Sequence, residues 1–516
     1  MSESLTLLGE NLEAFKREQV PVREGETVQE PAKRLKPIDR SQTMLRPIDV
    51  EKLVDEDHVV RGIWRMVNRL EMRRLEKRIK AVEGRAGQSS LDPRLLTSLW
   101  IYATSLGVSS ARELSRMCNY EPGCQWLTGM EAVNYHTLAD FRVEDKEALD
   151  EMFVEVLGLL SAEGLVELTR VMQDGTKVKA QASGRSFRRE ERIRKHLELA
   201  RQQVEAMGSP DSEELTQQAI RARQRASRER QQRLEQALEQ LEELQKSRPE
   251  SEKDKVRVSE TDPQARVMKQ SDGGFAPSYN VQISTEASHG IIVAVETTQA
   301  GNDYDQLTEG IQRVEANTGQ TPAQMVVDGG YIKNGNIEVT AKRGVDLFGP
   351  VPDSHTEASF QQRGISPKFY PDKFRYDPVT DTFKCPADKT LQRKQARQCE
   401  GRIEYHYRAL ESDCAACPFR DQCCPKNATR GIVRREDSEA VKAFRAKMQT
   451  DEAKQIYRTR AQVAEFPNAW IKEKLGLRRF RLKGLSKVRI EAVWACLTYN
   501  IQQWIRLRWR ATLQTA

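Results

Sequence analysis

Two stretches of this chain run apolar residues into a single aspartate followed at once by glycine. They are VMQDGTKVKA (Val171–Ala180), with Asp174, and AQMVVDGGYIKNG (Ala323–Gly335), with Asp328. Each reads as a short strand that ends in an acid and then turns, and two such strands side by side would carry both acids at one edge of a sheet. There the carboxylates can share a divalent cation. Hard oxygen donors favour Mg²⁺ or Mn²⁺, and an incomplete protein shell leaves positions for phosphate and water. Taken singly, each Asp-Gly pair is equally a plain turn.

The segments around these acids predict an α/β domain. SYNVQIST (Ser278–Thr285) and GIIVAVETT (Gly290–Thr298) make a β-hairpin across EASH. DYDQLTEGIQRVEANTG follows as an amphipathic helix closed by Gly319, then PAQMVVD as a buried strand, a helix over NGNIEVTAKRG and a strand in VDLFGPVP. This order gives a mixed sheet flanked by helices over 166–505. Two segments interrupt it. Residues 185–260 are rich in Arg, Glu and Gln, with a leucine stripe at Leu234, Leu238, Leu241 and Leu244, and predict a charged, coiled-coil-like helical hairpin broken at Gly208–Asp211. With so few apolar residues it should project without a core of its own. Residues 375–430 hold most of the cysteines. Ahead of the sheet, 45–165 has helical periodicity throughout, with a turn in GVSSARELSRMC compatible with a helix-turn-helix; 1–44 is a polar tail and 506–516 a basic one.

At 516 residues the chain exceeds a single core. No apolar run approaches the roughly 18–20 residues that span a bilayer, and MSESLTLLGENLEAFKREQ is not a secretory signal, so a cytoplasmic, nucleoid-associated protein with no membrane partner is expected. The net charge of +7 is modest, but eleven Lys or Arg lie between Trp470 and Arg510 against two acids, Glu473 and Glu491. Such a basic, aromatic-interleaved stretch suits a phosphate backbone, or else a solvated helix face.

Six of the nine cysteines fall between Cys385 and Cys424. The Cys414-x2-Cys417-x5-Cys423 spacing, with Cys385 upstream, admits a zinc knuckle. Cys399 and Cys424 are alternative ligands, and a redox or iron–sulfur site or plain reduced thiols are the alternatives to zinc. Cys118, Cys124 and Cys496 read as core.

The third carboxylate of a metal site is expected on a helix packed over the acid edge, and YRTRAQVAEFPNAWIKEKLG offers Glu465. On a regular helix counted from Tyr457, Glu465 falls near ~80°, Lys472 near ~60°, Arg460 near ~−60° and Glu473 near ~160°. Glu465 and Lys472 then share a face with Tyr457 at its margin, while Arg460 lies on the far side. Pro467 should kink the helix just after Glu465.

Together these stretches resemble the DDE transposases of bacterial insertion sequences, in the branch with a Tyr-x2-Arg-x3-Glu-x6-Lys signature. The likeness is carried by DGTKVKA, TDPQARVMK…GGFAPSYNVQ (Thr261–Gln282), TTQAGNDYDQL (Thr297–Leu307), VVDGGY and the Tyr457–Lys472 helix. ARELSRMCNYEPGCQWLTGMEAVNYHTLADFR (Ala111–Arg142) resembles the helical module that precedes the catalytic domain, and the Cys-rich segment is similar to an element of the branch. One departure stands out: four residues, not three, separate Arg460 from Glu465. The resemblance implies a ribonuclease-H-like catalytic fold in which Asp174, Asp328 and Glu465 hold Mg²⁺ or Mn²⁺. Lys472, with Tyr457 and Arg460, would touch DNA near the cut. It further implies terminal inverted repeats and target DNA as partners, dimerisation in the DNA complex, and cleavage followed by strand transfer. A nuclease that cuts without joining, and a non-catalytic zinc-knuckle DNA-binding protein, are the competing readings.

Overall fold

The computed structural model describes residues 47–81, 89–206, 217–351, 357–399 and 401–515. The tail expected at 1–44 and the hairpin break expected at Gly208–Asp211 lie outside these residues. Helices α1 (Val59–Val67), α2 (Pro93–Ser105), α3 (Ala111–Met117), α4 (Pro122–Thr128), α5 (Tyr135–Glu144) and α6 (Lys146–Ala162) come first. Asp92, Ser110, Asn134 and Asp145 each cap one of them, the side-chain oxygen accepting from a first-turn amide.

Then follow β1 (Arg170–Lys179), β2 (Phe187–Arg188), α7 (Glu190–Ala206), α8 (Gln217–Lys246), β3 (Val258–Ser259), β4 (Arg266–Lys269), β5 (Phe275–Glu286) and β6 (Ile292–Thr298). Next are α9 (Gln306–Thr318), β7 (Gln324–Val326), α10 (Asn334–Lys342) and β8 (Asp346–Phe348). The main sheet runs β6–β5–β1–β7–β8, with β4 also pairing the first residues of β5. β5 is antiparallel to β6 and β1; β1, β7 and β8 are parallel. The α7–α8 hairpin leaves the sheet after β1, and β2 pairs with β3 at its base. It does bury a core of its own, correcting the expectation: Ile193, Leu197 and Ala200 face Leu234, Ala237, Leu238 and Leu241. Helical spacing on both arms concentrates the few apolar residues into one seam.

The cysteine-rich region is larger than a knuckle. Strands β9 (Arg375–Asp377), β10 (Thr382–Lys384), β11 (Thr390–Cys399), β12 (Arg402–Ala409) and β13 (Gly431–Asp437) form an antiparallel meander, with a core that includes Phe369, Phe383, Leu391 and Tyr407. The chain continues through α11 (Glu439–Lys447), α12 (Asp451–Arg458), one π-helical turn (Ala461–Glu465), α13 (Phe466–Glu473) and α14 (Leu485–Trp504).

Buried residues of α1–α6, the main sheet and α14 form one continuous core. The N-terminal helices therefore share their core with the sheet and α14. Helix α14 packs on α2, α6 and β6, and its Arg489 pairs with Asp150 of α6 at 2.9 Å and with Glu296 of β6 at 3.0 Å. The basic stretch is likewise partly internal. Arg506 donates to Gln503 and Arg508 to the Glu163 carbonyl, while Trp504 and Trp509 are buried. The expected basic tail is thus a helical continuation of α14 through Thr515, anchored by the buried Trp509 with its arginines exposed. Among the described residues, no helix is long and apolar enough to cross a membrane.

Candidate active site

Strand β1 does not end at Asp174. The acid is mid-strand, opposite Ile283 of β5, and the strand continues to Lys179. What stops nearby is β7, whose last pairs with β1 join Val171 to Met325 and Met172 to Val326. Asp174 and Asp328 each lie two residues beyond the Met172–Val326 pair, so β1 carries its acid past the end of β7 beside the turn that holds Asp328. In that turn Asp328 accepts the Gly330 amide at 2.8 Å. Gly175 has another purpose than turning: a Cβ there would sit 2.5 Å from Gln282 Nε2 and closer still to Asp303 Oδ1.

Asp303, in the turn after β6, was not singled out from sequence. Its carboxylate accepts from Asn280 and Gln282 of β5, both at 2.6 Å, and pairs with Lys177 at 3.5 Å. Asn280 and Gln282 alternate on one face of a strand that is otherwise largely apolar, the pattern that could have marked them. Lys177 and Gly175 lie on the opposite face of β1 from Asp174, but Asp303 Oδ2 and Asp328 Oδ1 both come within 4 Å of where a Cβ at Gly330 would stand, and the charge of Asp303 reaches Asp174. Tyr331 is fully buried and donates to Gln282 Oε1. Burial, then the negative charge of Asp303, Asp174 and Asp328, holds its hydroxyl well above the usual tyrosine range.

Over Asp174 lies the segment from Arg460 to Lys472. Asn468, buried on α13 and also missed from sequence, donates to Asp174 Oδ2 at 2.8 Å. Arg460 reaches both acids of interest: Nη1 is 3.6 Å from Asp174 Oδ1 and Nη2 is 3.3 Å from Glu465 Oε1. Regular-helix arithmetic had put Arg460 on the far side, because five residues advance an α-helix by about 140° past a full turn. The π turn closes i→i+5 instead and returns Glu465 to the face of Arg460. The extra residue in the spacing is absorbed there, ahead of Pro467, which sits harmlessly in the first turn of α13.

Asp174 is pushed up to about 6, chiefly by burial and further by Asp328 and Asp303, while Arg460 and the Asn468 hydrogen bond oppose the shift. A carboxylate raised in this way by burial and by neighbouring acids sits in a site short of positive charge, and its hard oxygens suit a divalent ion. Among the described residues, however, no three His, Cys, Asp or Glu side chains converge as a ready cage. Glu465 is 58% exposed and meets Asp174 only through Arg460. Lys472 is half-buried with no ion-pair partner among the described residues; burial lowers its pKa, and Asp174 opposes that. Tyr457 is half-buried against the core. Of the two acids in the basic stretch, Glu473 pairs with Arg478, and Glu491 is buried against Arg142 and the amides of Arg481 and Leu482.

Cys385, Cys414, Cys417, Cys423 and Cys424 line one small cavity with Arg430, while Cys399 ends β11 outside that lining. All nine cysteines are free thiols. Burial pushes the Cys423 thiol up to about 12.

The TDPQ stretch proves structural. Asp262 accepts from the Tyr279 hydroxyl at 2.7 Å and the Gly484 amide at 3.1 Å, and Gln264 accepts the Leu485 amide at 2.7 Å, so the pair secures the start of α14.

Residues 384–505 match the family model described as a transposase DDE domain, and residues 48–144 match the one described as a transposase domain (DUF772). The first match includes Glu465 and the cysteine cavity but neither Asp174 nor Asp328. No curated protein and no solved structure matches the chain.

Proposed function

We propose, on the premise that these two domains indicate an insertion-sequence DDE transposase, that the chain cleaves DNA at its element's ends and joins them to target DNA at a site built on Asp174, Asp328 and Glu465. One observation carries this reading: Asp174 of β1 and Asp328 of the turn after β7 each lie two residues beyond the last β1–β7 pair, under a segment whose Arg460 links Asp174 to Glu465. The strand order, three antiparallel and then two parallel, supports the ribonuclease-H-like fold that this chemistry uses.

Asp174, Asp328 and Glu465 would hold Mg²⁺ or Mn²⁺, which when bound supplies Lewis acidity at a phosphodiester and an activated water. The chain's own residues do the rest. Asn468 fixes one oxygen of Asp174 and leaves the other for ligation. Arg460 fills the gap between Asp174 and Glu465 and, released from them, is free to fork onto phosphate oxygens. Lys472, with no acid of its own, grips a phosphate beside the cut, and Tyr457 flanks it. Asp303, Gln282 and Tyr331 brace the floor beneath both strand acids. Binding to terminal repeats and target, and pairing of two copies on DNA, belong to the same reading.

The cysteine cavity has a structural part in it. Cys385, Cys414, Cys417 and Cys423 would take up zinc after their side chains turn inward, with Cys424 as the alternative fourth thiolate and Arg430 offsetting the thiolate charge.

The test is a supercoiled plasmid carrying the element's ends, incubated with Mg²⁺ or Mn²⁺, beside a strand-transfer reaction on pre-cleaved ends. Asp328→Asn should lower both activities on the order of a hundredfold or more while DNA binding persists. Normal cleavage by that variant would refute the site.

A further inference from the structure

The α7–α8 hairpin meets the sheet at a cleft that nothing in the catalytic site explains. It has a volume of about 580 Å³ and is lined by five Arg or Lys against one acid, Glu191. Arg192 and Lys195 are exposed on α7, off the seam of buried Ile193, Leu197 and Ala200, and Arg189 is exposed immediately before the helix. Arg257 joins them from the chain leading into β3. None of these four has an ion-pair partner among the described residues, although Arg194 and Arg201 on the same helix find acids on α7 and α8. Arg188 adds an independent sign: its Nε is buried in the structure with no hydrogen-bond acceptor. Like charges gathered in a cleft repel one another and call for an anion with many acceptors.

The cleft also leads somewhere. A second, of about 790 Å³, shares Phe187 and Arg257 with the first and continues past Lys255 and Gln299 to Gly301. Gly301 stands two residues before Asp303, in the turn that braces the strand acids.

We infer that the base of the hairpin is a track for the phosphate backbone of double-stranded DNA, leading from the insertion to the catalytic edge. This rests on the proposed function, since the track serves a DNA substrate at that edge. Lysines and arginines on a helix face bind phosphates without reading bases, so the track adds affinity and direction but no sequence preference. Phe187 and Leu199 add apolar surface to the lining of the cleft.

The experiment uses the full-length chain and two unrelated duplexes, one bearing the element's end and one of random sequence. Equilibrium binding is followed by fluorescence anisotropy from roughly 50 to 200 mM NaCl. The triple variant Arg189→Gln, Arg192→Gln, Lys195→Gln keeps good helix formers at exposed positions. It should bind both duplexes at least about tenfold more weakly and lower the salt slope by about two to three, since each phosphate that is no longer neutralised takes away about 0.9. Arg192→Gln alone, should the triple variant unfold, ought to lower the slope by about one. Arg189→Lys with Arg192→Lys should keep it. A slope equal to the wild type, or a weakening confined to the element-end duplex, overturns the track. Asp328→Asn separates the two claims. If it abolishes cleavage while the triple variant binds normally, the track is wrong and the catalytic reading stands; if it cleaves normally while the triple variant binds weakly, the reverse holds.

Discussion

Asp174 lies in mid-strand, not at the strand end that sequence reasoning gave it, and comes beside the turn of Asp328 because β7 stops short. Asp-Gly pairs mark turns so often that Gly175 was read as one, and nothing local distinguishes a turn from a clearance. The clearance is for Asp303, whose position depends on a turn well over a hundred residues away along the chain. Gly175→Ala should therefore cost about 1–3 kcal/mol by overpacking and shift Asp303. Urea unfolding of the variant would show this, and a midpoint equal to wild type would contradict it. The acid itself predicts a pH dependence. Its folded-state pKa is raised from 3.8 to about 6, so the folded protein holds that proton more tightly than the unfolded chain. The resulting stabilisation is fully present below about pH 4 and is lost as pH rises through about 6, amounting to at most about 3 kcal/mol. Metal-free protein should lose stability over this window, and Asp174→Asn should flatten the slope. Mg²⁺ at neutral pH should restore stability to the wild type and not to the variant. An identical pH profile for both proteins would sink the assignment.

At the scale of elements, the strands and helices around the acids were legible because periodicity reports burial. The π turn was not, since counting at 3.6 residues per turn presumes the geometry in question. Arg460 was consequently placed on the wrong side of its helix. Deleting Gln462, which is exposed within the π turn, should restore a regular α turn and still leave Arg460 and Glu465 on one face, now four apart. Cleavage should survive within about tenfold, whereas Glu465→Gln should lose it with binding intact. Loss of cleavage in a folded deletion variant would show that the bulge does more than absorb a residue. The cysteine meander was also invisible as a sheet, because its longer strands, β11–β13, are rich in charged and polar residues and show no clean apolar alternation. Its proposed zinc gives a direct measurement: metal analysis should find about one zinc per chain, and chelation or Cys414→Ser should lower the melting temperature without altering the main sheet. A metal-free protein that melts identically with and without chelator would leave plain thiols as the answer.

Across the whole molecule, length argued for more than one domain, and the helical N-terminal region read as a module preceding the catalytic domain. The fold instead makes α14 a shared spine, because the residues that join the two parts lie hundreds of positions apart and no window of sequence contains both. Glu491 shows the consequence. It stands within the basic stretch of the sequence, yet it is 3% exposed, pairs with Arg142 of α5 at 3.0 Å, and accepts the Arg481 and Leu482 amides at 3.1 Å. A buried carboxylate so placed fixes α5, the loop after α13 and the start of α14 to one another. Glu491→Ala leaves Arg142 buried without its counter-ion and should cost about 3–5 kcal/mol. Unfolding should remain a single transition, followed alike by far-ultraviolet circular dichroism and by fluorescence of the core tryptophans Trp100 and Trp494. At a temperature where the variant stays folded, its metal-dependent DNA cleavage should match the wild type, since Glu491 supports the site without touching it. Two separate transitions in the wild type would make the N-terminal helices an independent module, and a folded Glu491→Ala protein that binds DNA but cannot cleave would place this acid in the catalytic site.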